Sequence, residues 1–318
     1  MSTVRIYFAS DVHASDRCWK KFLSAPKFYG ATVAIMGGDI TGKVIVPLLR
    51  QHDGTTRATF NGIQRTAETN SELAQLRAQI ADSGAYAYET TQEEYTALAS
   101  IEDHMQSQFK DLALAQVERW VEMAEDRLAG SGVRCLVNGG NDDVFEVDGI
   151  LRGSDFIEVP DRNIIELADG VQIIGLGYAN ETPWHCARDV SESELATMIA
   201  DLAQQLSDPG RAIFDFHVPP YGSGLDSAPK LDEQFRMVLG AHGPVMTPVG
   251  STAVRDALLV YSPMLALHGH VHESRGVTKL GSTTALNPGS EYREGVLRGA
   301  LIDLDTSTGV RSVQLVSG

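Results

Sequence analysis

The sequence predicts an α/β protein, and three observations carry that expectation. Apolar runs of strand length recur along the chain, at 4–10, 31–36, 133–138, 211–216 and 264–267. Stretches of helical periodicity, including 16–24 and 191–206, lie between them. Each of the five runs ends in a loop bearing Asp, Asn or His, and the carboxyl ends of strands are where open α/β sheets carry their ligands.

With 318 residues, 43% hydrophobic and 21% charged, the composition is that of an ordinary globular protein without repeats or low-complexity tracts. Length alone suggests two units at ~150 residues each, but large α/β folds exceed that. One domain over 1–318 with an insertion at about 43–132 is expected. The balance of 26 basic against 42 acidic residues, net −16, repels polyanions and argues against nucleic acid as a partner. A small phosphorylated substrate stays open, because local cations can invert the field at a site. Cys18, Cys135 and Cys186 are widely spaced, without a C-x-x-C pair, as expected of reduced thiols. No apolar run approaches the ~18 residues of a membrane span, and residues 4–10 are too short for a secretory signal, so a cytoplasmic location without membrane partners is expected.

In chain order, the first strand meets Asp11-Val12-His13, where alternation puts the two polar side chains on one side. A helix from about Asp16 to Ser24 leads to the second strand, which ends at Gly37-Gly38-Asp39. Residues 37–44 match a phosphate-binding P-loop except at Val44, which lacks the hydroxyl that would hold Mg²⁺. Asp39 inside such a loop would oppose phosphate, so the glycines are read as letting the backbone turn around Asp39. The stretch 43–132 departs from the strand-helix rhythm. Asn61-Gly62 predicts a type I′ hairpin over 57–66, Asn70 is placed to cap a helix with Leu73, Leu76 and Ile80, and Thr91 with Glu94 offers a capping box. Apolar positions from Leu98 to Leu128 predict one helix of ~50 Å that bends or projects, with His104 left without a role.

The rhythm resumes with 133–138 and its loop Gly139-Gly140-Asn141-Asp142-Asp143. A hairpin over 164–176 turns at Asp169-Gly170, a polar loop 178–188 holds Trp184 and His185, and Ser191 with Glu194 caps the helix that follows. The strand 211–216 stops at His217-Val218-Pro219-Pro220. The last block, His268-Gly269-His270-Val271-His272, holds three of the nine histidines; His270 and His272 share a side, and Gly269 omits a side chain where imidazoles converge. Asn287-Pro288-Gly289-Ser290 and strands at 299–304 and 311–316 close the chain.

Taken together, the order D-x-H, G-D, G-N-x-D, H, G-H-x-H resembles the calcineurin-like metallophosphoesterase family, with the matches running from Asp11 to His272. The resemblance implies an α/β/β/α sandwich of two mixed sheets flanked by helices, here with a largely helical insertion. It also implies a dinuclear centre, with Asp11, His13, Asp39 and His272 on one ion and Asp39, Asn141, His217 and His270 on the other. Oxygen and nitrogen donors of this kind suit Mn²⁺, Fe²⁺/Fe³⁺, Zn²⁺ or Co²⁺. The implied reaction is hydrolysis of a phosphomonoester or phosphodiester by a hydroxide bridging the ions. Asp142 stands where the family often has the histidine that protonates the leaving group, and a carboxylate with a reference pKa of ~3.9 is a poor donor at neutral pH. His268 and His185 are the substitutes considered, each also compatible with a structural role, while Asp143 is expected to orient its loop. Two alternatives compete: a scaffold of the same fold that docks partners through the long helix, and a nuclease, which would need a basic or aromatic track. Assembly of copies through the insertion is a further expectation.

Overall fold

The computed structural model describes residues 2–318. Two six-stranded mixed sheets form its centre. In the first, Thr3–Ala9 pairs antiparallel with Arg298–Asp305 and parallel with Val33–Met36, which pairs parallel with Arg134–Val137. Gly309–Ser317 and the short Ile157–Glu158 are its edges. In the second, Val171–Leu176, Ile213–Phe216, Leu265–Leu267 and Thr283–Asn287 run parallel, with Ile164–Ala168 and Gly276–Leu280 antiparallel outside them.

Alternation along the strands builds the four expected layers. Ile6, Phe8, Ile35 and Leu136 of the first sheet meet Ile173, Ile213, Leu265 and Leu267 of the second in a buried layer. On the opposite face of the first sheet, Tyr7, Ala9, Ala34 and Met36 pack against Trp19, Phe22 and Trp120, with the two indoles stacked at 4.7 Å. Phe214 and Phe216 turn outward from the second sheet onto Leu195, Ile199, Val254 and Leu258 of the helices Glu192–Ala203 and Thr252–Tyr261. Among the described residues, no helix is long and apolar enough to cross a membrane.

Three local expectations need correction. The hairpin with Asn61 and Gly62 at positive φ is present, but Thr56–Phe60 and Ile63–Ala67 belong to a four-stranded sheet with Val44–Arg50 and Ala85–Thr90. Pro47 is tolerated because its stretch of Val44–Arg50 is paired on one side only, with Ala85–Thr90. Thr69 rather than Asn70 caps the Asn70–Asp82 helix, and Glu72 completes a capping box. The expected 50 Å helix breaks at Ser100 and Ile101 into Gln92–Ala99 and Glu102–Leu128. The second piece lies on the body: Ala113, Gln116, Val117, Trp120, Ala124 and Leu128 are buried at helical spacing. His104 is exposed on its first turns.

Candidate metal centre

Because the parallel strands keep register, Ala9, Met36 and Val137 end level in one sheet, and Leu176, Phe216 and Leu267 advance the same way in the other. The loops that follow therefore converge. They bring together Asp11, His13 and His272 in one group, Asp39, His217 and His270 in a second, and His13, Asp39 and Asp142 in a third, each group with ligand atoms within 4.8 Å of one another.

The backbone at this edge is bent into the left-handed region at Asp11 (φ 57°), His13 (37°), Asp39 (50°) and His270 (65°), a costly conformation for residues with a Cβ. Glycines make room for it. A side chain at Gly140 would strike the Asp39 carboxylate, and one at Gly269 would strike Ser10 and Asp11. Gly269 thus clears space for a carboxylate rather than for a second imidazole.

Backbone carbonyls lock the imidazoles. His13 Nδ1 donates to the Thr41 carbonyl (3.3 Å) and His217 Nδ1 to that of Gly37 (2.9 Å), so each presents Nε2 to the cluster. His13 Nε2 lies 3.0 Å from His272 Nε2. His217 Nε2 is buried without a hydrogen-bond partner, 3.3 Å from Asp39 Oδ1 and 3.9 Å from Asp11 Oδ1. Asn141 Nδ2 donates to Asp189 (2.9 Å), which turns Asn141 Oδ1 toward His270 Nδ1 at 2.9 Å. The Asp11 carboxylate accepts the His270 amide at 2.9 Å and lies 3.4 Å from His272 Nε2.

Electrostatics agree with the geometry. Burial opposes a charge on His217, yet the Asp39 and Asp11 carboxylates push its pKa up; burial, then Asp142 and Asp11, push that of Asp39 up despite His217. Burial would raise the Asp11 carboxyl, but His272, His217 and His13 hold it below the usual range. Burial brings His270 down to about 4, a neutral imidazole. Imidazole nitrogens 3.0 Å apart, a buried His217 Nε2 without a hydrogen-bond partner and two carboxylates gathered among them make a donor set that fits divalent ions of borderline softness.

Asp142 pairs with Lys43 and takes a hydrogen bond from Cys186 Sγ (2.8 Å); these offset burial and keep its carboxyl below the usual range. His268 is fully buried, its Nδ1 donating to the Phe216 carbonyl (2.7 Å), and it has no surface to offer a leaving group. His185 is exposed, at φ 50°, one residue before Cys186. Asp143 accepts from the amides of Ile40 (3.0 Å), Thr41 (2.8 Å) and Gly140 (2.7 Å), tying the Asp39 loop to the Asn141 loop.

Several supporting residues carry no local signal in the sequence. Asp189 aims Asn141, and the fully buried Arg188 binds Asp148 (2.7 Å) and the Asp143 carbonyl (3.0 Å). The Tyr292 ring lies 4.7 Å from that of His13. Asn287, in the turn noted from sequence, donates to the carbonyls of Gly269 and Val271, both at 3.0 Å, and Ser290 donates to that of Asp11 (2.6 Å). Lys43 does lie in a motif, the stretch that fails as a P-loop at Val44, and its ammonium stands beside Asp142.

No protein-family model matches the chain. Over 130 residues it is 25% identical to an uncharacterized protein, MJ1162, of Methanocaldococcus jannaschii, an alignment of 40% of this chain and 52% of that one. The chain thus matches about half the length of this curated relative. Among solved structures, TT1561 of Thermus thermophilus aligns over 99% of both chains with a TM-score of 0.56 and 13% identity. A second crystal structure aligns over 99% of both at 0.57 and 15%. At these identities the likeness is one of fold.

Proposed function

We propose that the chain is a metal-dependent hydrolase of phosphomonoesters or phosphodiesters. The observation that supports this reading is the meeting of seven donors from five separate strand ends in two adjoining groups. In the proposal, Asp11, His13, Asp39 and His272 hold one ion, and Asp39, Asn141, His217 and His270 hold the other, with Asp39 shared. Two divalent ions would supply a water acidified toward neutral pH and a positive field for the phosphoryl oxygens.

The chain's own residues do the rest. The carbonyls of Thr41 and Gly37 keep His13 and His217 from rotating, and Asp189 keeps the Asn141 oxygen aimed inward. Lys43 adds a cation at the rim, suited to a phosphate oxygen. Asp142, ionised by its lysine, serves as an anchor for that ammonium rather than as a proton donor. The departing oxygen then takes its proton from water or from His185, whose loop adjoins Asp142 through Cys186.

The test is metal-free protein reloaded separately with Mn²⁺, Zn²⁺, Fe²⁺ or Co²⁺, with metal content measured and a panel of mono- and diesters assayed. Uptake approaching two ions per chain with ester hydrolysis is expected. Folded protein that binds none of the four metals would end the proposal.

A further inference from the structure

A cavity of about 770 Å³ opens beside the centre, within the range of small-molecule sites. Its apolar lining is Val44, Ile45, Tyr95, Met105, Phe109 and Val144. All but Val144 come from the 43–132 segment, and they come from three of its elements: the Val44–Arg50 strand and the two helices separated at Ser100 and Ile101. The break places Tyr95 and Met105, both lining the cleft, on separate helices. Phe109 and Ile45 pack on Ala14 and Tyr86, so the floor of the cavity adjoins the residue after His13. The Phe109 and Tyr86 rings meet edge to face at 5.3 Å, and Tyr86 Oη accepts the Gly42 amide at 2.7 Å, which fixes that floor to the Asp39 loop.

Lys43 lines the cavity while its ammonium pairs with Asp142, within the cluster that also holds His13 and Asp39. Val144, on the other wall, follows Asp143 directly. An ester phosphorus at the centre would thus have its organic group within reach of this lining. Apolar surface left open next to a polar, ion-binding centre is filled most favourably by the part of the substrate that carries no charge.

We infer, resting on the hydrolase reading above, that this cavity receives the alcohol part of the substrate and that this part is apolar and aromatic. Tyr95, Phe109 and Met105 supply ring and thioether surface to such a group. Asp103, Gln106 and Ser107 at the rim are exposed and leave the outer end open to solvent. The 43–132 segment therefore selects the ester, while the strand-end loops act on its phosphorus.

The experiment compares benzyl phosphate with ethyl phosphate, whose leaving alcohols have similar basicity, on metal-loaded wild type, Tyr95→Ala and Ser107→Trp. Burying a ring is expected to favour the benzyl ester at least tenfold in kcat/KM, mainly through KM. Both substitutions should shrink that ratio, Tyr95→Ala by removing a wall and Ser107→Trp by filling the space. A wild-type ratio near one, or a ratio untouched by either substitution, overturns the inference even though esters are hydrolysed. Calorimetric binding of the same two compounds gives the ratio without turnover. If neither of these alkyl monoesters turns over, the hydrolase reading is decided by the wider panel of mono- and diesters, while preferential binding of the benzyl compound that both variants weaken still assigns the cavity; equal binding removes it.

Discussion

Replacing Asp143 with alanine removes the carboxylate that joins the Asp39 loop to the Asn141 loop. The side chain is fully buried and accepts three backbone amides, from Ile40, Thr41 and Gly140, besides the Thr41 hydroxyl. Each amide left without a partner costs ~1–3 kcal/mol, and partial entry of water lowers the sum, so a loss of ~3–6 kcal/mol is expected. At ~2 °C per kcal/mol for a chain of this size, the melting temperature should fall by ~6–12 °C. Asp143→Asn keeps one acceptor oxygen but turns an NH₂ group toward amide donors, so it should lose about half as much. Metal content should fall with stability, because Asp39 and Asn141 sit on the two loops that separate. Thermal melts and elemental analysis of the two variants check this. A melting temperature for Asp143→Ala within ~1 °C of wild type, at undiminished metal content, would refute the reasoning.

Asp39→Asn should be the most damaging conservative change at the centre, since the carboxylate faces His13 at 3.7 Å and His217 at 3.3 Å; metal-saturated activity equal to wild type would contradict its shared role. With Asp142 held ionised by Lys43, hydrolysis should depend steeply on leaving-group pKa, and aryl esters should outpace alkyl esters by a good part of the ~10²–10⁴-fold that general acid catalysis supplies. A shallow slope, with the chemical step rate-limiting, would point to another acid, and His185→Asn would then be assayed across the series. Arg188→Ala leaves the Asp148 carboxylate with Arg162 alone, at 3.5 Å, and frees the Asp143 and Val144 carbonyls, so it should cost ~2–4 kcal/mol in urea denaturation; a cost under ~1 kcal/mol would show that the pair is dispensable.

The strand-end residues were legible because their information is local. An apolar run followed by Asp11-Val12-His13 or His270-Val271-His272 fixes a strand and its end, and capping boxes at Thr91 and Ser191 fix helix starts within four residues. The shared side expected of His270 and His272 does not hold, because the strand ends at Leu267, His270 turns to positive φ, and the two imidazoles fall in different groups. What escaped depends on partners distant in sequence. Asp189 is one acid among many until Asn141 donates to it, and Arg188 looks like a surface residue until Asp148 is brought beneath it. The sheet in the 43–132 segment was hidden by Pro47, which argues against a strand unless one side lacks a partner, and by the split of its strands around the Asn70–Asp82 helix. The short strands and exposed apolar side chains between 227 and 248, including Phe235, Met237 and Leu239, gave no periodic signal.

The pairing of Val33–Met36 with Arg134–Val137 also sets a timetable. The two strands are neighbours in register although roughly a hundred positions separate them, and a contact so distant is slow to form because the intervening chain must first be gathered. The intervening segment has a small apolar nucleus of its own in Val46, Leu48, Ala58, Leu76 and Ile80, and forming it first would shorten the loop that the sheet must close. Pulse-labelled hydrogen exchange during refolding should find the amides of Leu48 and Ile80 protected ahead of those of Ile35 and Leu136; simultaneous or reversed protection would show that the segment does not lead. On this schedule Asn141 reaches Asp39 late, and a refolding chain would complete the proposed ion site only as that final crossing is made.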